Sequence, residues 1–523
     1  MIVNLLLIVT SGIVNKEIYR STVIVSAMTM ISRLMGFARD MLIAHLFGVS
    51  AATDAFFVAF KIPNFLRRLF AEGAFAQAFI PVLTDYKLNS QPLALKDFVD
   101  KTAGTLAVLL LAVSLLGGFA APLLILIFAP GFLWEGNQYA LAVDMLRITF
   151  PYIWFISLTA FSGAILNAYG RFAIPAITPL FLNLAMIAAA VWLAPFFDEP
   201  IQALAWGVIL AGLVQWLFQW PALVKLGLLP RLRWGWRNEG VRRILALMIP
   251  AMFSVSVVQI NLLFDTLMAS FLSAGSVSWL YYSDRLVEFP LGILGIAVST
   301  VILPHLSSHH ADDDKRAFSQ SLDWGLKVVL LVGVPATLGL VLLSKPLVST
   351  LFQYNEFSAS DVTMSSQSLM AFASGLLAFM FIKVLVPGFT AREDTQTPVR
   401  FGLYSVVCNV VFNLLLIAPL AHAGVALATS LAAYLNAALL LWVLWKRGIY
   451  RPGRGWPAFI IRIGVASLAM SIFLLWAVDP SSWLLWSGTE RGFNLLSHIL
   501  IAMLVYGGVL WVLGTRLRDL LVH

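Results

Sequence analysis

Apolar stretches of about 20 residues follow one another along almost the whole chain, and each is long enough to cross a hydrocarbon core as a helix. A helix satisfies its own backbone hydrogen bonds, as a segment surrounded by lipid must. Charged residues make up only 11% of the 523 residues, against about a quarter in a typical soluble domain. The sequence therefore predicts an all-α polytopic membrane protein without a separate soluble domain.

Apolar runs, read against proline, glycine and charged breakers, predict about fourteen spans. Their centres lie near Met35, Phe70, Leu110, Ser157, Met186, Leu213, Val257, Ile293, Leu331, Leu377, Val407, Leu435, Leu468 and Leu504. The even-numbered connections are basic and include Lys96, Lys101 and six lysines or arginines between 225 and 243, whereas the odd-numbered ones offer chiefly Lys345 and Arg491. The positive-inside rule then places both termini in the cytoplasm. This asymmetry accounts for the net charge of +8, so nucleic-acid binding is not expected.

An internal repeat divides the spans. At a constant offset of 223 residues, Pro81-Val82-Leu83 matches Pro304-His305-Leu306, Pro175 matches Pro398, and Leu204-Ala205 matches Leu427-Ala428. The repeat predicts two six-helix lobes around a central cationic cavity, a recurring plan in transporters. The predicted parts are an N-terminal extension (1–20), an N-lobe (21–230), a C-lobe (231–450) and two further helices with a cytoplasmic tail (451–523).

Charged residues within the spans are concentrated in two matching helix pairs. In the first lobe, Arg33, Gly36 and Arg39 recur at helical spacing, so both arginines share a face. The same pairs contain Asp40, Asp54, Lys61, Asn64, Arg67, Arg68, Glu72, Asp284, Arg285 and Glu288. An arginine near a bilayer centre costs at least about 2.5 kcal/mol on insertion scales, so these side chains must line a hydrated cavity or pair internally.

Two interpretations of this cluster stay open at this point. Structural ion pairs are one, because Arg285 and Glu288 are three residues apart and Arg68 and Glu72 four. An anion-binding path is the other, and the dominance of arginine favours it, since guanidinium forks bind phosphate oxygens in pairs. The single cysteine, Cys408, allows no disulfide within the chain.

Three long motifs carry a resemblance to a known family. They are Ser32-Arg33-Leu34-Met35-Gly36-Phe37-Ala38-Arg39-Asp40, Pro63-Asn64-Phe65-Leu66-Arg67-Arg68-Leu69-Phe70-Ala71-Glu72-Gly73 and Ser278-Trp279-Leu280-Tyr281-Tyr282-Ser283-Asp284-Arg285-Leu286-Val287-Glu288. They resemble the signatures of the MurJ (MviN) lipid II flippases, within the multidrug/oligosaccharidyl-lipid/polysaccharide exporter superfamily. The similarity runs from about residue 20 to the C-terminus and departs only at the N-terminal extension.

The resemblance implies a transporter in the bacterial inner membrane that moves lipid II by alternating access for cell-wall synthesis. Lipid II is an undecaprenyl pyrophosphate that carries a disaccharide with a pentapeptide, and the last two helices would form a groove for its tail. The implied substrate-binding residues are Ser32, Arg33, Arg39, Asn64, Arg67, Arg68, Glu72, Arg285 and Glu288, with Asp54 as a gate. The implied partners are lipid II, membrane lipids and other cell-wall synthesis proteins.

The same resemblance implies a sodium site, with Asp265, Asn409, Asn413, Thr429 and the Val425 carbonyl as ligands. Hard oxygen ligands with one negative charge suit a small cation. Interhelical hydrogen bonding by polar residues in lipid is the alternative.

Other function classes fit the sequence less well. An exporter of another lipid-linked glycan remains an alternative, whereas a drug or cation antiporter of the same superfamily calls for an acidic pocket. A membrane enzyme on prenyl phosphates calls for a carboxylate magnesium site or a histidine nucleophile, and Asp312-Asp313-Asp314 beside Lys315 and Arg316 is typical of a solvated loop. No P-loop is present, so we expect a transporter that is not an enzyme.

Overall fold

The computed structural model describes residues 16–68, 75–297, 302–311, 314–453, 455–479 and 482–515. Helices dominate this part of the chain, as the sequence predicts. In chain order, α1 to α10 span Lys16–Phe47, Ala51–Arg67, Ala76–Asn89, Pro92–Phe119, Ala121–Phe128, Gln138–Thr149, Tyr152–Ala168, Ala173–Ile177, Leu180–Ala188 and Gln202–Lys225. Helices α11 to α20 span Glu239–Ser270, Ser276–Ala297, Leu303–Ala311, Lys315–Leu342, Ser344–Phe352, Ala359–Ser374, Leu376–Thr390, Gln396–Lys446, Trp456–Ala477 and Gly488–Val512.

The predicted spans coincide with these helices. Within the described residues, nine helical segments are long and apolar enough to cross a membrane, and they contain ten of the predicted centres. Two of those centres share α18, which is broken at Ala421 by a backbone φ of 47° and ψ of −129°. Three further centres lie in α1, α11 and α12, and the centre at Phe70 lies outside the described residues. The total of fourteen spans stays a prediction.

Local sequence explains where several helices begin. Pro92 begins α4, a position at which the missing N–H of proline removes no helical hydrogen bond. Capping boxes begin two others: Ser358 with Asp361 for α16, and Ser487 with Glu490 for α20. Helices can therefore follow one another closely at defined positions.

The connection before α18 is held by Asp394. Its carboxylate accepts hydrogen bonds from the Thr397 N–H at 3.0 Å and the Thr397 hydroxyl at 2.7 Å, and it pairs with Arg447 at 2.7 Å. Partial burial acts to raise the pKa of Asp394, but the bonds from Thr397 and Arg447 outweigh it and lower this pKa below its usual value.

The chain forms two compact units. The first contains residues up to Ile43, Val58–Ile125 and Tyr139–Ser256, and the second contains Ala44–Phe57, Leu126–Gln138 and the residues from Val257 onward. An aromatic core from α3, α4 and α7 holds the first unit, in which the Phe79 ring lies 4.9 Å from Phe161 and 5.1 Å from Phe75. The second unit has its own aromatic core, where Tyr282 packs on Phe352 at 5.1 Å.

Large apolar side chains are also abundant on the surface. Phe119 is 87% exposed, Trp476 84% and Leu504 73%, and all three belong to helices long enough to cross a membrane. Such an apolar exterior is unfavourable in water and matches a lipid surround. The chain is therefore a multi-pass membrane protein.

Basic residues assigned to connections lie partly within helices. Lys96 and Lys101 belong to the first turns of α4, where each pairs with an aspartate four residues away. Asp100, the partner of Lys96, also accepts the Arg231 N–H at 2.8 Å. The connection between α10 and α11 is thereby tied to α4, which the sequence pattern did not indicate.

Candidate functional site

Helix α1 carries Arg33, a charged side chain without an ionic partner among the described residues. Arg33 is exposed, and among the described residues its side chain makes no hydrogen bond or ion pair. Ser32 beside it is half-buried, and Leu34 is 51% exposed. A guanidinium in such a segment is available to an anionic ligand.

Arg39 is instead buried and paired. Six residues separate it from Arg33, which places the two side chains about 120° apart around the axis of α1. The prediction that both arginines share one face is therefore wrong. Its guanidinium donates to Asp40 Oδ1 at 2.9 and 2.6 Å and to Asn183 Oδ1 on α9 at 3.0 Å. The Asn183 amide in turn donates to the Ser32 carbonyl at 3.0 Å. Arg39 therefore fixes α1 against α9 in this conformation. Asn183 was not among the predicted site residues; the available signal was an amide inside an apolar run.

A second group of predicted substrate-binding residues lies at the C-terminal end of α2. The Asn64 amide donates to the Phe60 carbonyl at 3.0 Å, and its oxygen accepts from Arg67 Nε at 3.2 Å. Arg67 and Arg68 are both half-buried. Glu72, the predicted fourth member of this group, lies outside the described residues.

The second unit contains a smaller charged group on α12. Arg285 pairs with Glu288 at 2.6 Å, as their spacing allows, and its guanidinium lies 4.8 Å from the Tyr281 ring centroid. The two charged side chains are 29% and 43% exposed. A partly exposed pair contributes little net free energy, so a phosphate could replace the carboxylate at modest cost.

The predicted gate residue caps a helix. Asp54 is buried, and its carboxylate accepts hydrogen bonds from the Gly275 N–H at 2.7 Å, the Ser278 N–H at 2.8 Å and the Ser278 hydroxyl at 2.5 Å. These N–H groups belong to the beginning of α12, where the helix has no internal acceptors for them. One buried anion thus holds the end of the helix that carries Arg285.

The five predicted sodium ligands lie together in the second unit. Asp265 accepts hydrogen bonds from the Asn409 amide at 2.9 Å, the Asn413 amide at 3.1 Å and the Thr429 hydroxyl at 2.9 Å. The same hydroxyl lies 3.3 Å from the Val425 carbonyl oxygen. Three separate stretches of the chain therefore meet at one carboxylate.

Comparisons with known proteins agree with this architecture. The family model described as lipid II flippase MurJ matches residues 43–491. A protein of Vibrio cholerae serotype O1 named "Probable lipid II flippase MurJ" is 48% identical over 97% of this chain and 98% of its own. The chain belongs to the lipid II flippase MurJ family. A solved structure titled "Lipid II flippase MurJ, inward closed conformation" has a TM-score of 0.80 and 27% identity, and covers 95% of this chain and 99% of that one.

The MurJ family shares its fold with a wider group. A multidrug resistance MATE family transporter of the MOP superfamily has a TM-score of 0.67 at 15% identity, covering 82% of this chain and 98% of that one. This likeness concerns the fold alone.

The polar group at Asp265 fits a small cation in its donor chemistry. The Asn409 and Asn413 side-chain oxygens are buried, and no described residue donates a hydrogen bond to them. Rotating either amide by half a turn would exchange N–H groups for oxygens facing the carboxylate, an arrangement that needs a cation between them. With Thr429 and Val425, the set would then offer only oxygen ligands, as alkali and alkaline-earth cations prefer.

Proposed function

We propose that this chain flips lipid II from the cytoplasmic to the periplasmic leaflet by alternating access, as a step in peptidoglycan synthesis. Membership of the MurJ family and the names of its relatives support this activity. The structural observation that carries it is Arg33, an exposed arginine on a membrane helix with no ionic partner among the described residues. A diphosphate headgroup supplies the anion that such a side chain lacks.

The arginines would play different parts in this transport. Arg33 binds phosphate oxygens directly, while Arg39 positions α1 through Asp40 and Asn183. Arg285 exchanges Glu288 for a phosphate oxygen. The partly exposed Arg285–Glu288 pair is weak, and the carboxylate and the phosphate are both negatively charged acceptors. Guanidinium groups would thus replace water around the diphosphate and lower the penalty of crossing the membrane.

Asp54 would act as the gate through the end of α12. Its three hydrogen bonds stabilise one position of this helix, and their loss would leave buried N–H groups unsatisfied. A transition that releases the cap must therefore provide other contacts for these groups. During alternating access, the hydrogen bonds between Asp54 and the beginning of α12 would form in one conformation and break in the other.

The basic connections support an orientation in the inner membrane with both termini on the cytoplasmic side. Transport of this kind requires no covalent chemistry, so we assign the chain no enzymatic activity. Contacts with other cell-wall synthesis proteins remain a prediction from the family resemblance.

Sodium is the proposed coupling ion. Asp265, the Asn409 and Asn413 side-chain oxygens, the Thr429 hydroxyl and the Val425 carbonyl would hold it, and its charge would offset that of Asp265. Purified protein should gain thermal stability in sodium chloride relative to choline chloride. Asp265→Asn should abolish this difference, whereas an undiminished response in that variant would remove the site from consideration.

Depletion of the native protein with complementation by variants tests the flipping activity in cells. Arg33→Ala and Arg285→Ala should severely reduce periplasmic exposure of lipid II at normal membrane levels. Arg33→Lys should restore it only in part, because lysine keeps the charge but loses the fork. Arg171→Ala, a change at an exposed arginine in a connection, is the matched control and should leave exposure normal. Full exposure with both Arg33→Ala and Arg285→Ala would contradict the assignment.

A further inference from the structure

A further cationic site lies at one end of the two C-terminal helices, α19 and α20. It is a cavity of about 290 Å³ within the second unit. Its lining residues come from α14, from α19 and the residue before it, and from the chain just after α20: Trp324, Lys327, Gly455, Ala458, Phe459, Arg462 and Thr515. We call it the C-terminal pocket. Two cations and two aromatic rings contribute to its wall, and none of these described lining residues is acidic.

Arg462 supplies the charge that needs a partner. It is the seventh residue of α19, roughly 9 Å along the helix axis from its start, and is half-buried. Within the described ranges, its side chain makes no hydrogen bond or ion pair. A guanidinium at this depth of an apolar helix requires an anion or water.

Lys327 and Asp323, the other charged residues near Arg462, already have partners within the protein. Lys327 Nζ pairs with Asp323 at 2.7 Å. Asp323 also accepts from Tyr450 at 3.0 Å, the Gly453 N–H at 3.0 Å and the Trp456 indole at 2.6 Å. This acid is therefore committed to its donors, and the side chains of Lys327, Asp323 and Arg462 together leave one positive charge in excess.

Two uncharged features add to the preference for an anion. Thr515 Oγ1 is buried and has no hydrogen-bond partner among the described residues, and Thr515 lines the cavity. Helix α19 begins beside the cavity, and its N-cap residue Gly455 provides no side-chain hydrogen bond to the first turn. The N–H groups of Trp456 and Ala458 at this end add partial positive charge.

The surroundings of the pocket show what kind of anion fits. Ile461 is 64% exposed and Val465 45%, three residues from Ala458 and Arg462 respectively, so they extend the same side of α19. Trp511 and Val512, just before Thr515, are each 76% exposed. The ligand therefore meets donors at one end and an apolar helix surface beyond, which is the pattern of a phosphate with attached acyl chains.

We propose that the C-terminal pocket binds the phosphate of an anionic phospholipid from the surrounding leaflet. Arg462 is the principal phosphate ligand, with Lys327 and the Thr515 hydroxyl as further donors. The lipid's acyl chains lie along α19 and α20. Basic pockets between membrane helices are known to hold anionic headgroups. The bound lipid would fasten the two C-terminal helices to α14.

Lipid titration of the purified full-length protein tests this site. Phosphatidylglycerol, compared with zwitterionic phosphatidylcholine, should raise the melting temperature and appear as a retained lipid in native mass spectrometry. Arg462→Gln should raise the phosphatidylglycerol concentration needed for half-maximal stabilisation about tenfold or more, as expected for the loss of one charge-assisted hydrogen bond. Ala458→Phe should weaken it similarly by filling the cavity while keeping every charge. Unaltered melting temperatures in phosphatidylcholine would show that both variants fold.

Three outcomes separate the alternatives. Arg171→Gln, which removes an exposed arginine outside the pocket, should keep the phosphatidylglycerol effect. If Ala458→Phe kept the phosphatidylglycerol effect as well, Arg462 would attract the lipid at the membrane surface without the cavity. The proposal that the lipid phosphate binds in the C-terminal pocket would then be wrong. If soluble glycerol phosphate stabilised the protein as strongly as phosphatidylglycerol, a free phosphate site would replace the lipid site.

Discussion

Replacing Asp54 by asparagine should loosen the beginning of α12 with almost no change in side-chain shape. The carboxylate accepts from the Gly275 N–H on one oxygen, and from the Ser278 N–H and hydroxyl on the other. An asparagine oxygen can still accept from Ser278. Its NH2 group would then face the Gly275 N–H, so that donor would be buried without an acceptor.

The expected destabilisation follows from these three bonds. A buried unsatisfied donor costs about 1–3 kcal/mol, and the two remaining bonds lose charge assistance worth roughly half a kcal/mol or more each. The sum is roughly 2–4 kcal/mol for local opening. Since about 1.4 kcal/mol corresponds to a factor of ten, backbone amides between residues 273 and 282 should exchange at least about 30-fold faster.

Hydrogen exchange measured by mass spectrometry reports this opening directly. Asp144→Asn is the control, because Asp144 is 57% exposed and its pair with Arg147 spans 3.4 Å. Such a surface pair contributes at most about 1 kcal/mol, so the exchange pattern should stay unchanged. Wild-type exchange rates around Gly275 in Asp54→Asn would refute the role of Asp54 as a helix cap.

Three further changes have defined outcomes. Gly48→Ala should lower thermal stability more than Gly136→Ala. Both glycines have positive φ, but only at Gly48 would a Cβ lie 2.4 Å from a backbone oxygen; equal shifts would contradict this. Asn183→Leu should lower the melting temperature, since it removes two interhelical hydrogen bonds, and an unchanged value would argue against its bridging role. The pKa of Asp394 is lowered in the folded state, so its contribution is present above about pH 4 and is lost as pH falls through the lowered pKa. An acid titration of stability should show this loss, and it should shrink in Arg447→Gln.

The architecture was largely predictable because lipid imposes one rule on every span. Apolar length alone located helices such as α4, α10 and α19, and the spacing of Arg285 and Glu288 predicted their pair. Of the residues matched by the repeat, Pro81 lies in α3 and Pro304 in α13, and the division into two six-helix lobes stays a prediction.

The details of pairing were not predictable in the same way. Arg33 and Arg39 have the same residue type and were predicted to share a helix face, yet one is exposed and the other buried. The two side chains point in directions about 120° apart around α1. The partner of Arg39 is Asn183, a residue 144 positions away in the chain, which periodicity cannot connect to it. The contacts of Asp54 with Gly275 and Ser278 depend on tertiary structure for the same reason.

The most direct test is the rate at which purified protein moves lipid II between leaflets of reconstituted vesicles. Wild-type protein should move the headgroup to the opposite leaflet, and Arg33→Ala should slow this at least about tenfold, consistent with the loss of one charge-assisted phosphate contact. Arg171→Ala should match the wild type. Equal rates in wild-type and Arg33→Ala vesicles, or no transfer by the wild-type protein, would contradict the proposed function.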